Sequence, residues 1–181
     1  MLKGKKVYLD TVEPGDLEQL RKWRNLPNYR KYFREYQEIN SDMQKKWYDA
    51  KVVNDNSTLM FAIREIKTGE LLGCCGLCYI NWVHRNSDLS LYIGKDESYI
   101  DDEGIAEEAC QLLFDYGFKE LNLKKIWTEL YEFDNKKIEL YQKLGMTIDG
   151  TWRDQYFYDG KWWDSKLLEI VSEEWLNGAT K

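Results

Sequence analysis

The stretch from Glu103 to Met146 constrains the fold of this chain more than any other. A turn at Gly104 precedes a segment in which apolar residues recur at roughly helical spacing, which predicts an amphipathic helix. A β-rich run at 126–130 follows, and then a second helix at 136–144 that ends at Gly145 as its C-terminal cap. The order glycine turn, helix, strand, helix is the layout of an anion-binding α/β unit.

The rest of the chain predicts strands and helices on both sides of this unit. We expect strands at 7–11, 58–65, 71–80 and 88–93, helices at 17–24 and 41–52, and a closing hairpin of 147–158 with 162–171. A turn at 67–70 joins the second and third of these strands. With no internal repeat or linker, residues 1–181 are predicted to form a single domain.

Composition narrows the functional classes. A chain of 181 residues with 43% hydrophobic and 15% aromatic residues has enough apolar material for a sizeable core. The net charge of −6 gives no reason to expect nucleic-acid binding and would suit an amine-bearing substrate. No apolar run approaches a membrane span, and no apolar signal core follows the N-terminal cations, so we expect a cytoplasmic protein.

The cysteines lie mostly in one apolar run. Cys74, Cys75 and Cys78 fall within a predicted strand, where Cys75 and Cys78 would point to opposite faces. We interpret them as buried structural thiols and predict no metal site. The alternative, a redox or metal role with nearby His84, stays open at this stage.

One run of residues resembles a known family. The segment from Asp134 to Met146, DNKKIELYQKLGM, resembles N-x-x-A-I-x-L-Y-x-K-L-G-F of the GNAT N-acetyltransferases. The resemblance implies an α/β GNAT fold, a central mixed, mostly antiparallel twisted sheet flanked by helices. It also implies direct transfer of an acetyl group from acetyl-coenzyme A (acetyl-CoA) to a primary amine. The ending, with Gly150-Thr151-Trp152-Arg153, resembles the branch of ribosomal-protein N-terminal, polyamine and amino-sugar acetyltransferases.

The resemblance implies two catalytic residues. Acetylation of an amine requires a base for the nitrogen, polarisation of the thioester carbonyl and an acid for the leaving thiolate. Tyr141 stands at the position of the family's acid, and Asp88 at that of a carboxylate that accepts the amine's proton through water. Without the resemblance, Tyr141 would be a packing residue on its helix and Asp88 a solvated carboxylate at the end of a strand.

The resemblance also implies residues that bind the coenzyme. Gly104, Ile105 and Ala106 match the end of the family's Q/R-x-x-G-x-G/A motif, whose backbone amides bind the pyrophosphate. Here Asp101 replaces the Gln or Arg, and the acids around the motif would either repel phosphate or only cap the helix. The carry-over further assigns Asn135 to the coenzyme and the N–H groups of the strand at Leu91, Tyr92 and Ile93 to the thioester carbonyl. Pantetheine would lie where that strand splays from residues 126–130.

The remaining predictions concern the substrate and partners. Arg34 and Glu35 fall in the family's substrate-covering helix pair, where the cation could bind an anionic group and Glu35 an amine, unless both lie on a solvated face. Of the pair Trp162 and Trp163, one would line the core and the other a possible homodimer surface. Two alternatives remain open: a GNAT-fold module that binds coenzyme A (CoA) with little or no turnover, and an aromatic-rich binding domain without a cofactor.

Overall fold

A computed structural model describes residues 1–178 of the protein and has one eight-stranded sheet at its centre. The strands are β1 (Leu2–Lys3), β2 (Val7–Thr11), β3 (Leu59–Glu65), β4 (Leu71–Asn81), β5 (Asn86–Ile93), β6 (Lys125–Tyr131), β7 (Thr147–Tyr158) and β8 (Lys161–Val171). Their order in the sheet is β1-β2-β3-β4-β5-β6-β8-β7. The α-helices are α1 (Leu17–Arg24), α2 (Pro27–Arg30), α3 (Ser41–Trp47), α4 (Ile105–Asp115), α5 (Asn135–Lys143) and α6 (Ser172–Gly178).

The sheet is mixed because one neighbouring pair, β5 and β6, runs parallel while the other described pairs run antiparallel. A parallel pair needs a crossover connection, and the α4 segment supplies it. The β5–β6 pairing covers only three residues and ends where Asp88 faces Trp127. Beyond that point the two strands separate, as predicted, and leave an opening in the middle of the sheet.

The core lies on both faces of the central strands. The interior of β4 is buried from Leu72 to Leu77, which fits its nearly continuous apolar sequence. Helix α4 packs on β2, β4 and β5 and buries its apolar stripe, including Ala109 and Leu113, as its periodicity predicts. This architecture confirms the predicted fold class.

Several boundaries differ from the sequence predictions. Helix α3 has Asn40 as its N-cap, whose side chain accepts a hydrogen bond from Met43 N, so the capping residue lies one position before Ser41. Helix α4 continues through Gly117 as a π-helical turn, and α6 follows β8 without having been predicted.

The end of α5 agrees with the prediction. Gly145 has φ of 95°, the left-handed conformation expected of a C-terminal cap on α5.

The clustered cysteines at 74, 75 and 78 are free thiols within β4, and Cys110 is a free, buried thiol in α4. Cys74 and Cys75 are buried and Cys78 is half-buried, and burial raises the pKa of Cys74 and of Cys78 to about 12. Within residues 1–178, no three histidine, cysteine or acidic side chains are grouped so as to hold a metal ion. The same residues contain no helix that is both long and apolar enough to cross a membrane.

Candidate functional site

A cavity of about 490 Å³ opens where β5 and β6 separate. Its walls include the segment after α2, helix α3, the two separated strands, their neighbours β3 and β4, and helix α5. The polar groups that matter for its chemistry are Arg34, Glu35, Asp88, Glu129 and Lys137.

Asp88 is the buried carboxylate of this cavity, with 5% of its surface exposed. Its Oδ2 accepts a hydrogen bond from Arg34 Nη1 at 2.8 Å, whereas its buried Oδ1 has no hydrogen-bond partner within residues 1–178. The Arg34 Nε also lies 3.6 Å from Glu129 Oε2, so one guanidinium bridges two carboxylates. Burial raises the pKa of Asp88, and the charge of Arg34 opposes that shift.

Tyr141 is fully buried on the inward face of α5. Its hydroxyl has no hydrogen-bond partner among the described residues, and burial raises its pKa well above the ordinary value. A buried hydroxyl without a partner is uncommon, because losing its hydrogen bonds to water costs about 1–3 kcal/mol. A phenylalanine would pack equally well at this position without that cost. The hydroxyl is therefore available to form a hydrogen bond with a bound ligand.

Lys137 lies one helical turn before Tyr141 and is buried, with 6% of its surface exposed. It lines the cavity, and its Nζ lies 4.6 Å from the centre of the Tyr99 ring. Asp134, the N-cap of α5, accepts a hydrogen bond from Tyr99 OH at 2.7 Å and caps the Lys137 N–H. Burial lowers the pKa of the Lys137 amine.

The N-terminus of α4 already holds an anion, the side chain of Asp101. Its Oδ2 accepts from the backbone N–H groups of Glu103 and Ile105 at 2.9 and 2.8 Å, and its Oδ1 accepts from Ala106 N–H at 2.7 Å. Gly104 has φ of 83°, which turns these amides toward one point. The loop is thus built to bind a negatively charged group.

Three of the neighbouring acids bind groups other than the amides at the start of α4. Glu108 accepts hydrogen bonds from the N–H groups of residues 5, 6 and 7 in the turn between β1 and β2. Glu103 pairs with Lys95 and Glu107 with Lys143. Of the five acids at 101–103, 107 and 108, only Asp101 contacts the amides, and Asp102 stays exposed beside them.

Comparisons with known proteins agree with this geometry. The family model for the acetyltransferase (GNAT) domain matches residues 6–147. The chain belongs to the GNAT acetyltransferase family. It is 27% identical over 171 residues to spermidine N(1)-acetyltransferase of Vibrio cholerae, covering 94% of this chain and 96% of the relative. The Escherichia coli K12 enzyme of the same name is 30% identical over 129 residues, covering 71% and 66% of the two chains.

A solved structure gives the same result. The crystal structure of spermidine N-acetyltransferase from Vibrio cholerae in complex with CoA and spermine superposes with a TM-score of 0.87 at 26% identity. The match covers 96% of this chain and all of the other. This GNAT domain is accordingly an N-acetyltransferase with acetyl-CoA as its co-substrate, as the sequence predicted.

The residues present fit acetyl-CoA at two places. Gly104, Ile105 and Ala106 form an anion-binding helix start, with the Asp101 carboxylate standing where a phosphate would compete for the same amides. The opening between β5 and β6 offers room for pantetheine. At the edge of this opening, the N–H group of Ile93 donates a hydrogen bond to Tyr99 O at 2.8 Å. Because alternate residues of a strand direct their N–H groups to the same side, the N–H group of Leu91 faces the same side of β5 as that of Ile93. Within the predicted segment of Leu91, Tyr92 and Ile93, the N–H group of Leu91 is therefore the best placed to donate a hydrogen bond to a thioester carbonyl.

Asn135 and its neighbour Asp134 differ in burial. Asn135 is exposed at the first turn of α5, whereas Asp134 is buried and holds Tyr99. The family pattern has thirteen positions and the run begins at Asp134, so the family's asparagine corresponds to Asp134 and its alanine to Lys137. Sequence reasoning missed both residues. The signal was available, since 134, 137 and 141 share one face of a helix.

Arg34 and Glu35 both line the cavity but differ in their contacts. Arg34 pairs with Asp88 and Glu129 and so does not present a free cation to an anionic group of a substrate. Glu35 is exposed and accepts a hydrogen bond from Gln37 N at 3.1 Å. Glu129, with a side chain only 11% exposed, is a second cavity carboxylate and, with Glu35, an alternative candidate for the base.

Proposed function

We propose that this enzyme acetylates a primary amine of a polyamine such as spermidine. Relatives in Vibrio cholerae and Escherichia coli carry that activity in their names, and a solved relative holds spermine beside CoA. A polyamine carries several ammonium groups, and carboxylates are the side chains that bind them.

The observation that carries the proposal is the guanidinium of Arg34 between two cavity carboxylates. Asp88 and Glu129, each largely buried, pair with a cation that comes from the segment after α2. The Arg34 side chain is 44% exposed, so its own position is not fixed by close packing. An ammonium group that enters the cavity would take over part of this pairing, and Glu35 lies at the same wall for a second ammonium.

We assign the chemistry to direct transfer within a ternary complex. Asp88 would accept the proton of the amine, directly or through water, at its unpaired Oδ1. The burial that raises its pKa makes it a stronger base than a free carboxylate. Tyr141 would protonate the departing thiolate, because a buried phenol whose pKa is raised keeps its proton at neutral pH and can donate it to the charge that develops on the sulfur.

The test is acetyl transfer by the purified protein with a panel of amines. Spermidine and spermine should be acetylated with higher kcat/KM than an amino sugar or a peptide with a free N-terminus, read as thiol release and as product mass. Glu129→Gln should raise the KM for spermidine, while Glu139→Gln, a change at an exposed position of α5 outside the cavity, should not. A preference for the peptide or the amino sugar would contradict the polyamine assignment.

A further inference from the structure

Lys137 places a primary amine inside the cavity of an enzyme that acetylates amines. Its Nζ reaches the Tyr99 ring, and the same cavity is lined by Leu91 of β5 and Leu130 of β6, the strands whose separation makes room for the thioester. Among residues 1–178, no carboxylate lies within 4.0 Å of this nitrogen, and no hydrogen bond from it to another group is formed. The protonated amine is held by a cation–π contact and by packing, and it has no ion pair among the described residues that would oppose the loss of its proton.

The surroundings of Lys137 favour the neutral, nucleophilic form of its amine. Burial lowers its pKa, and the charge of Arg34 acts in the same direction. The carboxylates of Asp134 and Asp88 oppose the shift without forming an ion pair with Nζ. Exposed lysines such as Lys136 lack this burial.

We propose that Lys137 is itself an acetyl acceptor, so that the enzyme acetylates its own chain at this position. The lone pair of Nζ attacks the carbonyl carbon of acetyl-CoA, an N–C amide bond forms and the C–S bond breaks. The proton of the nitrogen leaves with the coenzyme A thiolate, and no oxidant or further reactant is needed. The proposal rests on the use of acetyl-CoA and does not depend on spermidine being the substrate.

Acetylation at Lys137 would change the cavity. The product is neutral and bulkier, so the cation–π contact with Tyr99 is lost and part of the thioester slot is filled. An amine substrate and Lys137 would compete for the same acetyl group. The modified enzyme would then turn over more slowly, which links its activity to the supply of amine.

The experiment is mass spectrometry of the purified, folded protein after incubation with acetyl-CoA in the absence of amine. We expect one acetyl group per chain, on the peptide that contains Lys137, formed at least about tenfold faster than on exposed lysines because the amine is held beside the bound thioester. Excess CoA should suppress it, because CoA competes with acetyl-CoA for the same site. Acetyl phosphate, a donor without the coenzyme, should leave Lys137 unlabelled in the folded protein.

Two variants and a binding measurement test whether the acetyl group is on Lys137 and whether acetyl-CoA binds. Lys137→Arg should abolish the labelled site, and Lys136→Arg, its exposed neighbour, should retain it. Labelling that is equal at Lys137 and at exposed lysines, or that CoA does not suppress, overturns the proposal. So does an unmodified Lys137 in protein whose melting temperature rises with acetyl-CoA, whether or not spermidine is acetylated. Spermidine that stays unacetylated while Lys137 is labelled would instead overturn the polyamine assignment and leave this proposal standing.

Discussion

At the scale of single residues, four buried side-chain polar atoms of residues 1–178 have no hydrogen-bond partner, and two of them are Asp88 Oδ1 and Tyr141 OH. Each lost its hydrogen bonds to water on folding, at a cost that a purely structural residue could avoid by being apolar. Both belong to side chains that the family resemblance marked as base and acid. This desolvation cost is consistent with groups that form their hydrogen bonds with substrate atoms. Substitutions that remove only the polar atom therefore test function separately from packing.

Replacing Tyr141 with phenylalanine tests the acid. The hydroxyl forms no hydrogen bond, so its loss should leave the free energy of unfolding nearly unchanged or slightly higher. Turnover should fall by about 10²–10⁴-fold if the hydroxyl protonates the thiolate. Thermal melts and kcat with saturating substrates measure the two effects. An equally fast variant would leave Tyr141 as a packing residue.

Asp88→Asn tests the base through the pH dependence of the rate. In the parent, kcat/KM should rise with pH as the carboxylate, whose pKa burial raises, loses its proton and becomes able to accept one. Without it the amine must already be neutral, so the rate profile should shift to higher pH. Asp88→Glu should retain more activity than Asp88→Asn. A profile of Asp88→Asn that overlies the parent at every pH would point to Glu129 or Glu35 as the base.

At the scale of secondary-structure elements, the start of α4 combines two properties that the sequence presented as alternatives. Asp101 caps the helix, since it binds three backbone N–H groups. The same contacts place a carboxylate on the amides that the family uses for pyrophosphate. We therefore expect coenzyme binding to displace or share this internal anion, with an affinity that is weakened and not abolished.

Asp101→Gln should tighten binding of CoA, most visibly at low salt, because it removes a negative charge from the phosphate site. The same change should lower the stability of the free protein by about 1 kcal/mol, since a cap is lost. Calorimetric titration and thermal melts report the two effects. Asp102→Asn removes an exposed neighbouring charge and serves as the control. Unchanged or weaker CoA affinity in Asp101→Gln would show that the carboxylate only caps.

At the scale of the whole molecule, the hairpin of β7 and β8 is the least covered part of the sheet. Strand β7 is an edge strand with all but two of its residues exposed, and large apolar side chains stand free on the hairpin: Ile148, Trp152, Phe157, Tyr158 and Trp162. Trp163 packs edge-on against Phe133 at 5.0 Å, whereas Trp162 is 59% exposed. Trp163 is thus half-buried outside the core cluster, so the structure does not place it in the core as predicted, and a dimer surface at Trp162 stays a prediction.

We expect a second copy of the chain to cover this hairpin. An exposed edge strand with a large apolar surface favours association. Trp162→Ser should weaken self-association by at least about 2 kcal/mol, the cost of losing an aromatic anchor at an interface. Sedimentation equilibrium measures it, and Trp82→Ser, a change at an exposed tryptophan outside the hairpin, is the control. A parent protein that stays monomeric at all concentrations contradicts the prediction.

The sequence by itself determined the elements and the family. Local periodicity, Gly104, Gly145 and the segment around Tyr141 depend on interactions between near neighbours in the chain, so they can be read without the fold. Those signals predicted the main strands and helices, the separation of β5 from the following strand and the use of acetyl-CoA.

Only the tertiary structure decided which charges meet. Arg34 contacts Asp88 across 54 residues of chain, and Tyr99 contacts Asp134 across 35, so no local pattern links them. Whether Lys137 is a solvated cation or a buried amine depends on which helix face the sheet covers. Burial and long-range pairing set the charge state of a side chain, and these exist only once the chain has folded.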